Sequence, residues 1–353
     1  MTVFRRVPPR RHPRLRRRHL LPLLLLGGCS MRLDRDQIAR DQTNFGEAML
    51  ESQKRQMLLN ILRLRYGELP MFLDVNQVIS GYSVQRSLEA GLNVFREAGE
   101  GNYGTLGGSI QFQENPTFTF TPLTGERLAR SVVRPLDPGL LLPLMVGGLP
   151  ADLLLRLAVQ SIGIHQNSND FLGEHDGASP NFMALAADLR TLQLAGGFTV
   201  RTSNGGERPR VELVMLDRPE ESIQDVQHRV LRLPSQLRAA EIVYGQIPTA
   251  PNQIPMMTRS ALGILAQISR QVAVPERHVS EGRTLPSPRG RTRPAVVVHS
   301  GTRVETEEAF ASARFQDHWF WIDEADYPSK VAFTISQLLL MMGQLPVITI
   351  PAG

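Results

Sequence analysis

The chain has 353 residues, 39 basic against 34 acidic side chains, a formal charge of +5 and a single cysteine, with a pI near 9.8. Eight of the basic residues are arginines within the first 18 positions, where no acid occurs, and without them 31 basic residues face 34 acidic ones. The body of the chain is therefore slightly acidic and no nucleic-acid partner is expected; one cysteine excludes an internal disulfide and a thiolate metal cluster, so the fold must rest on burial, as one large domain or two.

The arginines, at 5, 6, 10, 11, 14, 16, 17 and 18, precede an apolar run from Leu20 to Leu26. The run is too short for a bilayer span, which needs about 20 apolar residues. A basic region, a short apolar region and a small-residue exit predict a cleaved signal peptide over residues 1–28. The exit, Leu26-Gly27-Gly28-Cys29, resembles the bacterial lipoprotein box, in which the cysteine is acylated and becomes the first mature residue. Cys29 is thus the predicted lipidation site and the route to a membrane. Ser30 and Met31 follow it, without the aspartate that favours inner-membrane retention, which resembles the pattern of outer-membrane lipoproteins facing the periplasm.

Residues 29–43 are polar and read as a lipidated tether. A helix is predicted over 44–66, with Phe45, Met49, Leu58, Leu59, Ile61 and Leu62 as its apolar stripe and Gly67 as its stop. A long amphipathic hairpin follows over 82–121. In its first arm Tyr82, Val84, Leu88, Ala90, Leu92 and Val94 alternate with Ser83, Gln85, Ser87, Glu89 and Asn93. Its second arm, from Thr105, alternates Leu106, Ile110, Phe112, Phe118 and Phe120 with Ser109, Gln111, Gln113, Thr117 and Thr119. Each arm of about 15 residues spans roughly 50 Å at ~3.3 Å per residue. Asn115-Pro116 is expected to break or bulge the second arm.

From Thr124 the pattern turns helical. "TGERLARSVV", "LDPGLLLPLMVGG" and "LPADLLLRLAVQSI" read as short buried helices, "HQNSNDFLGEHDGASP" as a polar loop, and "NFMALAADLRTLQLAGG" as an amphipathic helix. "FTVRTSNGGERPRVELVML" is a hairpin, "EIVYG" a strand and "TRSALGILAQISRQV" a helix. Residues 44–281 thus form an α+β domain. An Arg/Pro-rich loop over 282–294 leads to a C-terminal segment, 295–353. That segment reads as a strand, a hairpin carrying Trp319 and Trp321, a helix over 328–342 and a last strand at "VITIPAG", and it is expected to share the same fold.

The blocks "LLNILRLRYGELPMFLDV", "PTFTFTPLTGERLAR", "TRSALGILAQIS", "HWFWIDEADYPSK" and "PVITIPAG" together resemble a family of bacterial envelope lipoproteins with no established activity. The resemblance implies the compartment and one continuous architecture. It implies no catalytic, cofactor or metal site.

Candidate chemistry is sparse. His299-Ser300 places a histidine beside a serine, but on a strand their side chains point to opposite faces. His165, Asp170, Glu174, His175 and Asp176 offer oxygen and imidazole donors in one loop, without a metal-site spacing. Asp323, Glu324 and Asp326 are close carboxylates, with Asp326 or a neighbour a candidate cap for the helix opened by Pro328. Trp319 and Trp321 are expected to pack on the last helix. Arg63 and Arg65 read as solvated or salt-bridged rather than as an anion site. No catalytic, cofactor-binding or metal-binding residue is therefore assigned, and no cofactor.

The leading functional expectation is a non-enzymatic, lipid-anchored envelope protein acting as a scaffold or assembly component through envelope protein partners. One alternative is an oligomeric pore or export lipoprotein in which the 82–121 hairpins of several copies pair; Arg86, Arg96 and Glu114 on the apolar face weigh against full insertion. The other is an envelope hydrolase using the acidic and histidine-bearing loops.

Overall fold

The computed structural model describes residues 35–93, 103–167, 178–204, 209–217, 220–231, 238–287, 293–304 and 308–343. Cys29, the leader, Arg96, Asp170, Glu174, His175, Asp176 and the expected last strand lie outside the described residues. The chain divides into two units, residues 1–53 and 54–353. Of the first unit, residues 35–53 are described, and they are helical. The helix α1, Arg35–Arg65, therefore begins nine residues earlier than the apolar stripe indicates, and the polar stretch expected to be tether is helical from residue 35. Its polar first turns carry no tertiary signature, only helix-compatible residues such as Arg, Gln and Ala.

The second unit is α+β. Leu58, Ile61 and Leu62, at i, i+3 and i+4 of α1, are fully buried. α1 ends as expected at Gly67, whose φ is +73°. The Gly67 amide donates to Leu64 O at 3.2 Å and the Glu68 amide to Arg63 O at 2.8 Å, the paired bonds of a Schellman stop. The chain then enters β1, Leu73–Asn93, and returns along β2, Tyr103–Pro122.

Short helices follow: α2, Gly125–Leu128, which runs into a π-helical turn over Ala129–Val133; α3, Pro138–Val146; and α4, Ala151–Ala158. The expected helix through "LAVQSI" stops at Ala158, and Val159–Ile162 is instead strand β3. The reason is tertiary. Asn167 Nδ2 donates to the carbonyls of Leu155, Arg156 and Val159, and Arg259 Nη1 to those of Arg156, Leu157 and Val159. These donors end the helix while β8 takes the next residues into a sheet.

That sheet has six strands in the order β4-β3-β8-β7-β6-β5. β4 is His165–Gln166, β5 Phe198–Asn204, β6 Pro209–Met215, β7 Ala239–Tyr244 and β8 Gln253–Thr258. All neighbours are antiparallel except β7 and β8. The charged, proline-punctuated region after residue 217 holds more regular structure than the single strand expected there: α6, Glu221–Leu231, β7 and β8. α5, Pro180–Leu194, is capped by Ser179, and α7, Ala261–Arg270, by Ser260, each hydroxyl accepting an amide of the first turn.

A second sheet has the order β10-β11-β9, from Ala309–Phe315, His318–Asp323 and His299–Gly301. α8, Glu276–Ser280, precedes it and α9, Tyr327–Met342, follows. Val296, Val298, Phe320, Ile322, Phe333 and Ile335 of this C-terminal segment share one core cluster with Leu58, Leu154, Leu155, Ile264 and Leu265. The alternation of β11 places Phe320 and Ile322 in that core. The expected packing of Trp319 and Trp321 on the last helix is thus corrected: Trp321 is buried outside the cluster, stacked on His299 at 5.6 Å between ring centroids.

α9 closes tightly on the π-helical turn. A Cβ on Gly343 would sit 2.7 Å from the Ser131 carbonyl oxygen, a backbone atom that can yield only if the turn shifts. Gly343→Ala is therefore expected to lower stability by about 1–3 kcal/mol, the usual cost of overpacking, read as a lower midpoint in urea at unchanged slope.

Candidate functional site

The hairpin is the feature with the least reason to exist inside a self-contained fold. Its root is fixed from below. The buried Asn60 amide donates to Met71 O at 2.7 Å and its Oδ1 accepts from Met71 N at 2.9 Å, just before β1. Leu123 N donates to Phe72 O at 2.9 Å, closing the neck, and Phe72 packs on the core. Beyond this neck the two arms form a sheet of their own, joined to neither of the others. Among the described elements neither arm packs appreciably on anything but its partner.

The arms are longer than expected, 21 and 20 residues, about 65–70 Å of strand at ~3.3 Å per residue. One expectation about their regularity is corrected. β2 does not break at Asn115-Pro116, because Gly81 pairs with Asn115 and Ser80 with Pro116. In a two-stranded sheet both strands are edges, where a missing N–H is tolerated. The register shift falls in β1, between Val75 and Gln77.

Register sorts the sequence by face. Val75↔Phe120, Val78↔Phe118, Val84↔Phe112, Leu88↔Gly108 and Ala90↔Leu106 fall on one face, with Tyr82↔Glu114 and Arg86↔Ile110 among them. Gln77↔Thr119, Ser83↔Gln113, Gln85↔Gln111, Ser87↔Ser109 and Gly91↔Thr105 fall on the other. Each arm also leaves one edge without a strand neighbour among the described residues.

The remaining candidates resolve individually. His299 Nε2 lies 3.3 Å from Asp323 Oδ2, while Trp321 Nε1 donates to Asp323 Oδ1 at 2.9 Å. The register pairs His299 with Trp321 and Ser300 with Phe320, so the serine falls on the opposite face from this His–Asp pair. Glu324 binds Lys330. Of the histidine-rich loop, His165 is buried in β4. No group of metal-ligating side chains occurs among the described residues. Arg63 donates to Asn60 Oδ1 at 3.4 Å, and Arg65 to Leu285 O at 2.7 Å and Ser287 Oγ at 3.5 Å. Both are tied to their own chain, and the segment 284–287 is docked rather than free.

Asp326 is the cap of α9. Its carboxylate accepts from Ser329 N at 3.3 Å and Ser329 Oγ at 2.6 Å, and pairs with Arg293 at 2.5 Å. Burial pushes its pKa up, but the hydrogen bonds from Ser329 and Arg293 outweigh burial and hold it below the usual carboxylate range. A depressed folded-state pKa adds stability above the unfolded value, near 3.8, which is lost as pH falls through the folded value. Asp326→Asn is expected to lower stability at pH 7 while flattening the acid limb of the stability–pH curve below pH 4, measured by urea midpoints.

Two arrangements carry no sequence signature. Tyr66 Oη lies 2.6 Å from His278 Nδ1, beneath His318, Phe315 and Phe320. Burial pushes the Tyr66 hydroxyl up to about 12, and burial followed by His318 lowers His278, so the pair is neutral at physiological pH. It ties α1 to α8 and the small sheet. The other is a cavity of about 440 Å³ rimmed by Arg156, Arg190 and Arg293.

No family model matches the chain, and no curated protein and no solved structure is significantly similar to it. Among the described residues no helix is long and apolar enough to cross a membrane.

Proposed function

We propose that this is a non-enzymatic, lipid-anchored cell-envelope protein, held in the outer membrane through Cys29 and facing the periplasm, that acts as an assembly component. Its working element is the hairpin. The observation that carries this is a pair of strands of 21 and 20 residues outside both other sheets. A lone two-stranded ribbon of this length is marginal in water, and its open edges are templates for another strand. Such a ribbon is retained when something pairs with it.

A second reading is favoured by the register. One face is largely apolar and the other is rich in Gln, Ser, Thr and Gly, the division a barrel wall needs between lipid and lumen. Hairpins of successive copies, β1 of one beside β2 of the next, satisfy every edge only when the ring closes. About 9–11 residues per strand cross a bilayer, so each arm has length to spare, and Arg86 and Glu114 mark where the apolar face is interrupted. The hydrolase reading gains no such observation: the serine adjacent to His299 falls on the other face of the sheet from the His299–Asp323 pair.

Acylated Cys29 leaves the mature chain without a thiol, which makes cysteine crosslinking clean. Gln85→Cys and Gln111→Cys chains, expressed together and oxidised, are expected to form mixed disulfide dimers in excess of those from either alone. Neighbouring copies that never crosslink at any paired positions along the arms would rule out copy-to-copy pairing, and heterologous partners captured by the same cysteines would support the scaffold reading.

A further inference from the structure

The basic-rimmed cavity takes none of its lining residues from the hairpin. It opens between α4, α5, the segment at 293–295 and the first turn of α9, and its volume of about 440 Å³ falls within the range of small-molecule sites. Its lining has two kinds of surface. Leu153, Pro294, Val331 and the ring of Tyr327 are apolar, and Tyr327 is 72% exposed at the mouth. The lining also holds three arginines, whose guanidinium groups have unequal partners. Arg293 is matched by Asp326 at 2.5 Å. Arg190 touches Gln193 Oε1 at 2.5 Å and reaches Asp152 only at 3.9 Å. Arg156 donates to the Arg293 carbonyl at 2.9 Å and has no carboxylate within ion-pair distance among the described residues.

Arg156 is half-buried, and burial lowers its pKa, with Asp152 the only charge opposing that. Placing a guanidinium partly out of water without an acid on it is unfavourable, and an incoming oxyanion removes that deficit. The backbone adds to the same field. Pro150 caps α4 without a side-chain acceptor, and of the first-turn amides Ala151 N donates to Gln193 Oε1 at 3.0 Å. The guanidinium fork suits planar carboxylate and tetrahedral phosphate alike, and the apolar wall requires something beyond the charged group.

We infer that this cavity binds a small amphiphilic anion, a phosphate or carboxylate carrying a compact apolar group, with Arg156 and Arg190 on the oxyanion and Tyr327, Leu153 and Val331 on the apolar part. Asp152 is the internal competitor that occupies Arg190 weakly when the site is empty.

The test is calorimetric titration of the full lipidated protein in a neutral mild detergent, with phenyl phosphate, benzoate, inorganic phosphate and phenol as water-soluble probes. Saturable binding of phenyl phosphate or benzoate is expected, at least tenfold tighter than inorganic phosphate, with no saturation by phenol; which of the two anions binds more tightly identifies the headgroup. Arg156→Gln is expected to weaken binding at least tenfold. Arg190→Gln serves the same purpose if Arg156→Gln does not fold. Asp152→Asn is expected to tighten it several-fold by freeing Arg190. Absence of saturable binding by both anions overturns the inference. So does binding that Arg156→Gln leaves unchanged, or binding by inorganic phosphate as tight as by phenyl phosphate, since the apolar wall would then do nothing.

Discussion

Replacing residues 76–119 by a short Gly/Asn turn is expected to abolish assembly while leaving the rest of the molecule folded. The reason lies in where the hairpin is attached. Its neck is closed by the Leu123–Phe72 backbone bond and by the two bonds between Asn60 and Met71, all outside the deleted stretch. The core residues Leu58, Ile61, Leu154, Leu265, Phe320 and Phe333 lie in other elements. Removing a ribbon whose arms are in contact chiefly with each other forfeits little of their burial. The truncated chain should melt within a few degrees of the full chain and keep its urea midpoint, while its mass in detergent falls to that of one copy. A truncated chain that fails to fold would show that the hairpin belongs to the core. One that retains its partners would move the interaction surface elsewhere.

Arg259→Ala is expected to cost about 3 kcal/mol or more, because it removes a buried charged donor from several acceptors at once. Arg259 is 3% exposed. Its Nη1 reaches the carbonyls of Arg156, Leu157 and Val159 at 3.1, 3.0 and 2.8 Å. Asn167 serves two of these acceptors as well, but among the described residues the side-chain donor to Leu157 O is Arg259. Alanine therefore leaves a buried carbonyl unsatisfied and opens a cavity where the helix α4 becomes strand β3. Burial lowers the Arg259 pKa to about 9, so the wild-type side chain remains charged at neutral pH and faces the negative end of α4. Arg259→Lys should recover only part of the loss, because the shorter lysine side chain holds its ammonium short of the position that Nη1 occupies among the three carbonyls. Urea unfolding of the three chains measures this; equal midpoints for wild type and alanine would contradict the capping role.

Much of the architecture is legible in the residues where a local rule suffices. Gly67 after α1 and Asp326 before α9 are turn and cap chemistry that acts within a few positions, and each performs as its type dictates. The hairpin is legible from Tyr82 onward for the same reason. Its first nine residues are not, because the register shift between Val75 and Gln77 moves the apolar face from odd to even positions, and an alternation count loses phase there. Val159–Ile162 misleads differently. It continues an apolar run that is helical in α4, and only Asn167, Arg259 and the pairing with β8 decide otherwise. The arginine-rimmed cavity could not be seen in advance: Arg156, Arg190 and Arg293 come from separate elements, and nothing in their flanking residues signals convergence. Among the hinted sites, His299 and Asp323 do meet, but strand geometry puts Ser300 on the far face, which adjacency in sequence conceals.

If the hairpin assembles the protein, the state of assembly should be visible in the membrane-extracted molecule. The most direct measurement is the mass of the full chain, extracted in mild detergent from the membrane fraction of expressing cells, by light scattering after size exclusion. One defined species larger than a single copy is expected; a mass of four or more copies would be enough strands for the smallest closed barrel, about eight at two per copy. A strictly monomeric protein, with no partner bound and the hairpin intact, would contradict the assembly role.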